Sequence, residues 1–319
     1  MEKVMVVTGG AGFVGSNLVK GLNEKGYSNI VVVDNLSNSR KVDNLKDTVF
    51  VDFIDFSDGL ENTIKSLMNY DISAIFHIGA NADVNISGYS SMIRDNFLSS
   101  KAYLDIAVQK DASFLYASSS AVYGNSLNCH VSPKYEKPHN AYAFSKLLFD
   151  NYVRFSMHSF KTKVVGLRFF NIFGPGEYHK DKNASMPYRF FEFLKNDNCI
   201  ELFNEKIERD YIYVGDVVNS IINFGQDDNV ENGIYNLGTS QTISHKDLAE
   251  IVLDEYYKNH DIIQNDQPVI ELIDMPLSMK KVFQFYTKAM DLHPLITSGL
   301  SDNRLKVKEY IKDLCKGDR

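Results

Sequence analysis

The chain has 319 residues, 44% of them hydrophobic, and a formal net charge of −7. That is enough apolar material for one large domain or two lobes. The acidic balance gives no electrostatic basis for binding nucleic acid or an anionic membrane surface, although a few basic residues gathered in one cleft could still hold an anionic substrate. Cys129, Cys199 and Cys315 are scattered and form no CxxC, which fits free thiols in a reducing compartment. His and Cys clusters with metal-ligand spacing are absent, so no metal is expected. The opening MEKVMVVTGG runs straight into a strand-like stretch without a signal-peptide pattern, and no apolar run is long enough to span a bilayer. A cytoplasmic protein without a membrane partner is expected.

In chain order, KVMVVTG reads as a strand, 13–25 as a helix and NIVVVDN as a second strand. TVFVDF reads as a third strand, ending at Asp52 and Phe53. AIFHIGA, SFLYASSS and KVVGLRFFNIFG follow, separated by helical patterns at 58–69, 91–109 and 141–158. β-Branched runs flanked by helices predict a parallel sheet covered on both faces. After residue 170 the pattern loosens. GPGEYHKDKNAS reads as a loop, 186–196 as a helix, RDYIYVGDVVNSIINFG as a strand and helix, and GIYNLGT as a strand; helices are predicted at 244–257 and 301–315. The predicted class is α/β: a Rossmann-type doubly wound parallel sheet with a smaller C-terminal substrate-binding lobe. The nucleotide domain would comprise 1–170, with 210–240 returning to it, and the lobe 171–209 and 241–319.

TGGAGFVGSN lies between the first strand and the first helix. Its glycines at 10, 12 and 15 fit GxGxxG, and those at 9, 12 and 15 fit GxxGxxG. Glycines there permit a tight turn, close approach to a pyrophosphate and close helix–strand packing, while the helix N-terminus supplies N–H donors. About 20 residues on, Asp34 ends the second strand, where an acidic residue binds the adenosine ribose hydroxyls and repels a 2′-phosphate. This favours NAD, while Arg40 and Lys41 in the following NSRK leave NADP open. Asp52 and Phe53 are expected beside the adenine.

FLYASSSAVYG ends a buried strand in a cluster of hydroxyls. Tyr142 and Lys146 then stand four residues apart, on one face of a helix. Phe144, Leu147, Leu148 and Phe155 are expected on a separate, apolar stripe. Oxidising a carbinol needs a hydride acceptor and a base. A phenol titrates near pH 10, and a nearby ammonium favours its phenolate. Serine, tyrosine, lysine and a dinucleotide loop together make a carbinol oxidoreductase.

These motifs resemble the extended short-chain dehydrogenase/reductase family, whose members act on nucleotide sugars as epimerases, dehydratases and dehydrogenases. RFFNIFGPGE, ERDYIYVGDVV and YNLGT extend the resemblance over most of the chain. It implies Ser119, Tyr142 and Lys146 as catalytic residues. For the cofactor it implies Gly9, Gly12, Phe13, Val14 and Gly15 at the phosphates. Asp34, Asn35, Lys41, Asp52 and Phe53 would surround the adenosine, with Gly79, Ala80, Asn96, Tyr142 and Lys146 further along the dinucleotide.

Within the family, YEKPHNAYAFSKLLFDNYVR, FNIFGPGEYHK and RDYIYVGDV are most similar to the ADP-glycero-manno-heptose 6-epimerases. That similarity implies Lys180 as a second base, with Lys182 close by. It also implies Ser119, Asn171, Ser185, Phe203 and Arg209 as substrate contacts, Arg209 on the diphosphate unless it pairs with Asp210 or another carboxylate. Three positions depart from that pattern: Ile78 replaces an acidic residue, Phe283 a tyrosine and Glu192 a histidine. The expected activity is epimerisation of a nucleotide-diphosphate sugar through a keto intermediate. Alternatives are a dehydrogenase releasing a 4-keto sugar, a C4 epimerase, or a non-catalytic NAD-binding regulator. Dehydratases of this family carry Thr-Asp-Glu after the serine cluster, where this chain has Ser119-Ser120-Ala121. A homo-oligomer pairing through 91–109 and 141–158 is expected from the same resemblance.

Overall fold

The runs VMVVT and IVVVD form β1 (Val4–Thr8) and β2 (Ile30–Asp34), joined by α1 (Phe13–Glu24). β-Branched side chains suit a pleated surface covered on both sides, and every residue of β2 is buried. A computed structural model of the chain describes residues 3–82, 89–260, 269–281 and 283–317. The alternation continues through α2 (Lys41–Leu45), β3 (Asp52–Asp55), α3 (Leu60–Leu67) and β4 (Ile72–His77). α4 (Tyr89–Met92) passes through a π-helical turn, Ile93–Leu98, into α5 (Ser99–Gln109); β5 (Ser113–Ser119), α6 (Ala141–Ser156) and β6 (Val164–Phe169) follow.

The second half contains β7 (Asn171–Phe173), α7 (Met186–Asp197), β8 (Cys199–Phe203), β9 (Glu208–Tyr213) and α8 (Val214–Gln226). It continues with β10 (Gly233–Leu237), β11 (Thr242–Ser244), α9 (His245–Asn259) and β12 (Val269–Ile273). Short helices α10 (Leu277–Lys280) and α11 (Pro294–Thr297) lead to α12 (Asn303–Gly317).

Seven strands form one parallel sheet in the order β10-β6-β5-β4-β1-β2-β3. This is the doubly wound α/β architecture expected from the sequence. One face packs on α1 and α8 through Leu18, Val19, Leu22, Val218 and Ile221, the other on α5 and α6 through Tyr103, Leu104, Phe149 and Val153. A third core, with Phe190, Leu194, Ile200, Leu248, Val252, Val307 and Ile311, joins α7, α9 and α12 around the three-stranded sheet β11-β9-β7.

Two strand expectations change. KVVGLRFFNIFG is two strands in different sheets. At Phe170 the backbone N–H turns to the Leu237 carbonyl (3.0 Å), and β7 then pairs with β9. TVFVDF is also displaced: β3 starts at Asp52, which pairs with Val31, while Asp55 pairs with Asp34 at the carboxyl edge. Val49 and Val51 are 58% and 54% exposed, so the apolar run that suggested the strand precedes it.

Candidate active site

The strand order reverses between β1 and β4, and at that carboxyl edge lies a cavity of about 800 Å³. Its floor is the turn after β1. Gly9 has φ +68°, and a Cβ on Gly15 would lie 2.0 Å from the Gly9 carbonyl oxygen, so both positions require glycine. Gly12 is the N-cap of α1 and offers no side-chain cap. The first N–H groups of the helix therefore lack a side-chain acceptor. Gly12, Phe13, Val14 and Gly15 line the cavity, a cradle that fits the pyrophosphate of a dinucleotide.

At the next strand end, Asp34 is buried and its Oδ2 accepts the Ala11 N–H (2.9 Å). Its Oδ1 accepts from Asn35 N–H (2.7 Å) and pairs with Lys41 Nζ (2.9 Å). Asp34, Asn35 and Lys41 all line the cavity. Arg40 is committed elsewhere: its Nη2 reaches both oxygens of Asp181 at 2.7 Å. One of the two basic residues that left NADP open is thus engaged by Asp181, and the other sits on the carboxylate that would bind a ribose.

Further along, β5 ends at Ser119, and α6 starts behind Asn140, whose side chain caps the Ala143 N–H (2.8 Å). Ser119, Tyr142 and Lys146 line the same cavity. Burial raises the Tyr142 phenol, and its hydrogen bond with Ser119 opposes that rise. Lys146 Nζ donates to the Ala117 carbonyl (2.7 Å). Burial lowers this amine to about 8 against the opposing charge of Asp150. Below them His77 is neutral: burial takes it to about 3, and its ring nitrogens bond with Thr8 Oγ1 (2.8 Å) and Ser100 Oγ (2.9 Å).

The model of the NAD-dependent epimerase/dehydratase family matches residues 5–238. The chain belongs to that family. The protein is an NAD-dependent enzyme of the extended short-chain dehydrogenase/reductase type, as the resemblance implied. ADP-L-glycero-D-manno-heptose 6-epimerase of Helicobacter pylori is 26% identical and superposes with a TM-score of 0.81, covering 99% of this chain and 96% of that one. Two further structures share the fold. UDP-N-acetylglucosamine 4-epimerase from Methanobrevibacter ruminantium has 24% identity, TM-score 0.81 and coverage of 99% and 97%. UDP-glucose 4-epimerase of Thermus thermophilus, solved with NAD, has 24% identity, TM-score 0.76 and coverage of 100% of each chain.

Within this NAD-dependent family frame, the remaining expected residues divide. Gly79 and Ala80 line the cavity. Asn96 stands behind it: its side chain bonds Asn81 N–H (2.8 Å), the Asn81 carbonyl (3.0 Å) and Ser145 Oγ (2.9 Å), so Asn81 meets the cavity and Asn96 props it. Asp52 and Phe53 lie at the wrong end of β3 for the adenine, because the strand starts there; Phe56, just past its carboxyl end, lines the cavity instead. Lys180 lines the cavity, its Nζ 5.1 Å from the Phe13 ring centre, whereas Lys182 is exposed and outside the lining. Burial lowers the Lys180 amine, and the charge of Glu177 opposes this. Ser185 faces away, since its backbone N–H (2.6 Å) and hydroxyl (2.7 Å) are both taken by buried Glu177.

The stripe expected on α6 is corrected in part. Leu147 is buried as expected, but Phe144 and Phe155 are 43% and 90% exposed, and the buried face also carries Ser145, Lys146, Phe149, Asp150 and Val153. Polar groups can occupy it because each is partnered. Asp150 accepts from Tyr116 Oη (3.0 Å), Ser118 Oγ (3.0 Å) and Arg168 Nε (2.9 Å), and Arg168 also pairs with Glu136 (2.6 Å).

A second polar group forms around Arg209. Its guanidinium donates to Gln284 Oε1 (3.2 Å) and stacks on Phe283 (5.3 Å), against which Phe203 packs edge-on (6.3 Å). Asp210 is not its partner, because the Asp210 carboxylate accepts from Thr239, Ser240 and Ala289 N–H groups. Burial lowers Arg209 to about 10, which still leaves it charged at neutral pH. His245 feels the charges of Arg209 and Arg189 and, being buried, falls to about 3. Tyr211 Oη and His245 Nε2 are buried without a hydrogen-bond partner among the described residues. Gln284 Nε2 donates to the Ser120 and Gly124 carbonyls (3.2 and 2.8 Å), tying this group to the turn after Ser119. Asn171 donates to the Asp210 carbonyl (3.1 Å) and Thr287 Oγ1 (3.0 Å) beside it.

Sequence reasoning missed Phe56, Asn81, His179 and Asp181 at the cavity, and Arg189 and His245 near Arg209. No spacing rule marks them. Glu192, noted as a departure, faces a different cavity of about 420 Å³ with Tyr188 and Tyr310.

Proposed function

We propose that the protein epimerises a nucleotide-diphosphate sugar, an NDP-manno-heptose being the favoured class, through a transient ketone. The observation that carries the nucleotide sugar is the Arg209 group. Two guanidinium groups, Arg189 and Arg209, have no carboxylate partner among the described residues, and two orphaned polar atoms lie within their field. Uncompensated charge in a partly buried site is costly unless a ligand neutralises it, and a diphosphate matches guanidinium donors in charge and geometry.

Bound NAD supplies the hydride acceptor. Tyr142 Oη takes the hydroxyl proton of the carbinol. Ser119 Oγ, bonded to that phenol, shares the substrate oxygen. The ammonium of Lys146 lowers the cost of the phenolate. Lys180 brings a second amine, whose lowered proton affinity suits acid–base work, to the same cavity. Residues 1–170 with 210–240 serve as the NAD domain and the remainder as the sugar lobe. We place the enzyme in the cytoplasm as a homodimer paired through residues 91–109 and α6, whose exposed Leu98, Phe144 and Phe155 need cover.

The test is incubation with ADP-, GDP- and UDP-linked sugars, following product NMR and cofactor absorbance. Inversion of one carbinol centre without net NADH is expected, and Tyr142→Phe should lower turnover about 10²–10⁴-fold. Stoichiometric NADH with a released keto sugar would identify a dehydrogenase instead. Absence of any substrate-dependent change would mean a non-catalytic NAD protein. Full activity in Tyr142→Phe would overturn the chemistry.

A further inference from the structure

The segment after β7 doubles back onto the nucleotide domain. Asn17 Nδ2 donates to the Pro175 carbonyl (2.9 Å), Asn44 Nδ2 to that of Gly176 (3.1 Å) and Asn38 Nδ2 to that of His179 (3.0 Å). Arg40 Nη1 donates to the Tyr178 carbonyl (3.1 Å), and Tyr178 Oη returns a bond to the Arg40 carbonyl (3.1 Å). The same Arg40 grips both Asp181 oxygens at 2.7 Å. Asp181 has φ 48° and ψ −123°, a backbone that side chains other than glycine rarely adopt. A strained residue persists where its surroundings hold it, and here the holder is a charge-assisted bond to a residue 141 positions earlier.

Besides these bonds, two carboxylates of the segment are held by their neighbours. At the rear, buried Glu177 accepts from Ser185 N–H and Oγ and from Tyr310 Oη (3.1 Å). In front, the pin is Arg40–Asp181, whose side chains are 47% and 62% exposed. Between the pins, His179 and Lys180 line the dinucleotide cavity, as do Asp34 and Lys41 beneath Arg40. Of the two, the front pin is open to water and the rear one is shielded from it.

We propose that Arg40 and Asp181 are positioning residues that clasp segment 175–183 across the NAD cleft, so that the cofactor is retained between turnovers while Lys180 stays in the site. This rests on reading the cavity as the NAD site and needs no assumption about the sugar.

The test uses the enzyme loaded with NADH and diluted into excess NAD, with release followed by nicotinamide fluorescence. Arg40→Gln/Asp181→Asn removes both charges, keeps net charge, and retains at 181 a residue tolerant of positive φ. Release should quicken roughly two- to fivefold at low salt, the range for an exposed ion pair. Raising salt should bring the wild-type rate toward that of the double variant, whose own rate stays flat. Arg40→Gln alone should already show most of the effect. Equal release rates at low salt, or the same salt dependence in both proteins, would overturn the clasp while leaving the sugar chemistry untouched. A failed sugar panel with accelerated NADH release would do the reverse.

Discussion

Lys146 offers a charge whose cost can be read directly. It is 5% exposed and its Nζ reaches the Ala117 carbonyl at 2.7 Å. Burial takes the amine from 10.5 to about 8, despite the opposing Asp150. At ~1.36 kcal/mol per pH unit, that gap is worth about 3 kcal/mol. The folded chain binds this proton less tightly than the unfolded one, so between pH 8 and 10.5 the unfolded state holds more protons and stability rises with pH. As pH falls through the same window that stability is lost, and below about pH 8 the whole penalty applies. Lys146→Met has no such titration. Urea unfolding of cofactor-free wild type and Lys146→Met should therefore give a stability difference that moves in favour of the wild type by about 3 kcal/mol between pH 7 and pH 10.5. Asp150→Asn, which removes the opposing charge, should shift the rise to lower pH. A difference that stays constant across this range would show that Lys146 is solvated, and would remove the physical basis for its role beside Tyr142.

Two other outcomes follow from a guanidinium without a carboxylate partner among the described residues and from exposed aromatic side chains. Arg209→Met should weaken binding of ADP or UDP about 10- to 100-fold by calorimetry, as expected for lost charge-assisted bonds, without lowering the stability of the free protein; unchanged affinity would remove Arg209 from the substrate site. If the proposed dimer forms, Phe155→Glu with Phe144→Glu should convert it to monomer in sedimentation velocity while leaving NADH binding intact, and a wild-type protein that already sediments as a monomer would refute the pairing.

The cofactor half of the site was legible because its determinants are local. The Gly9–Gly15 turn, Asp34 and the Tyr142/Lys146 pair each sit within one element or at its end, where sequence spacing is spatial spacing. Their surroundings were not legible. The stripe assigned to Phe144 and Phe155 failed because hydrophobicity alone does not report burial when a polar network fills the inner face. Asp150 and Lys146 displaced the phenylalanines from the interior, since Arg168, Tyr116, Ser118 and the Ala117 carbonyl satisfy them there. Asp52 was misplaced for a simpler reason: Val49 and Val51 carry strand-like chemistry but precede the edge strand, and an edge strand gives weak register information. Arg189 and Arg209 both act on His245 only because α7, α9 and β9 pack together, which no local pattern encodes.

The two halves of the site also place opposite demands on the chain. A dehydrogenase that exports its reducing equivalents as free NADH must release reduced cofactor after every turnover, so ties across the dinucleotide would slow it. An epimerase returns the hydride before product leaves, so the same ties cost it nothing and prevent loss of the reduced cofactor with the ketone still bound. Here the cofactor cleft is crossed by the segment that carries Lys180, held by side chains from α1, from the loop after β2 and from α2. Lys180 lies on that segment, so on the proposed reading an opening that freed NADH would also withdraw the second amine from the substrate. That coupling favours return of the hydride within the closed site over its export, and it makes the rate of NADH release a measure of which reaction the fold is built to perform.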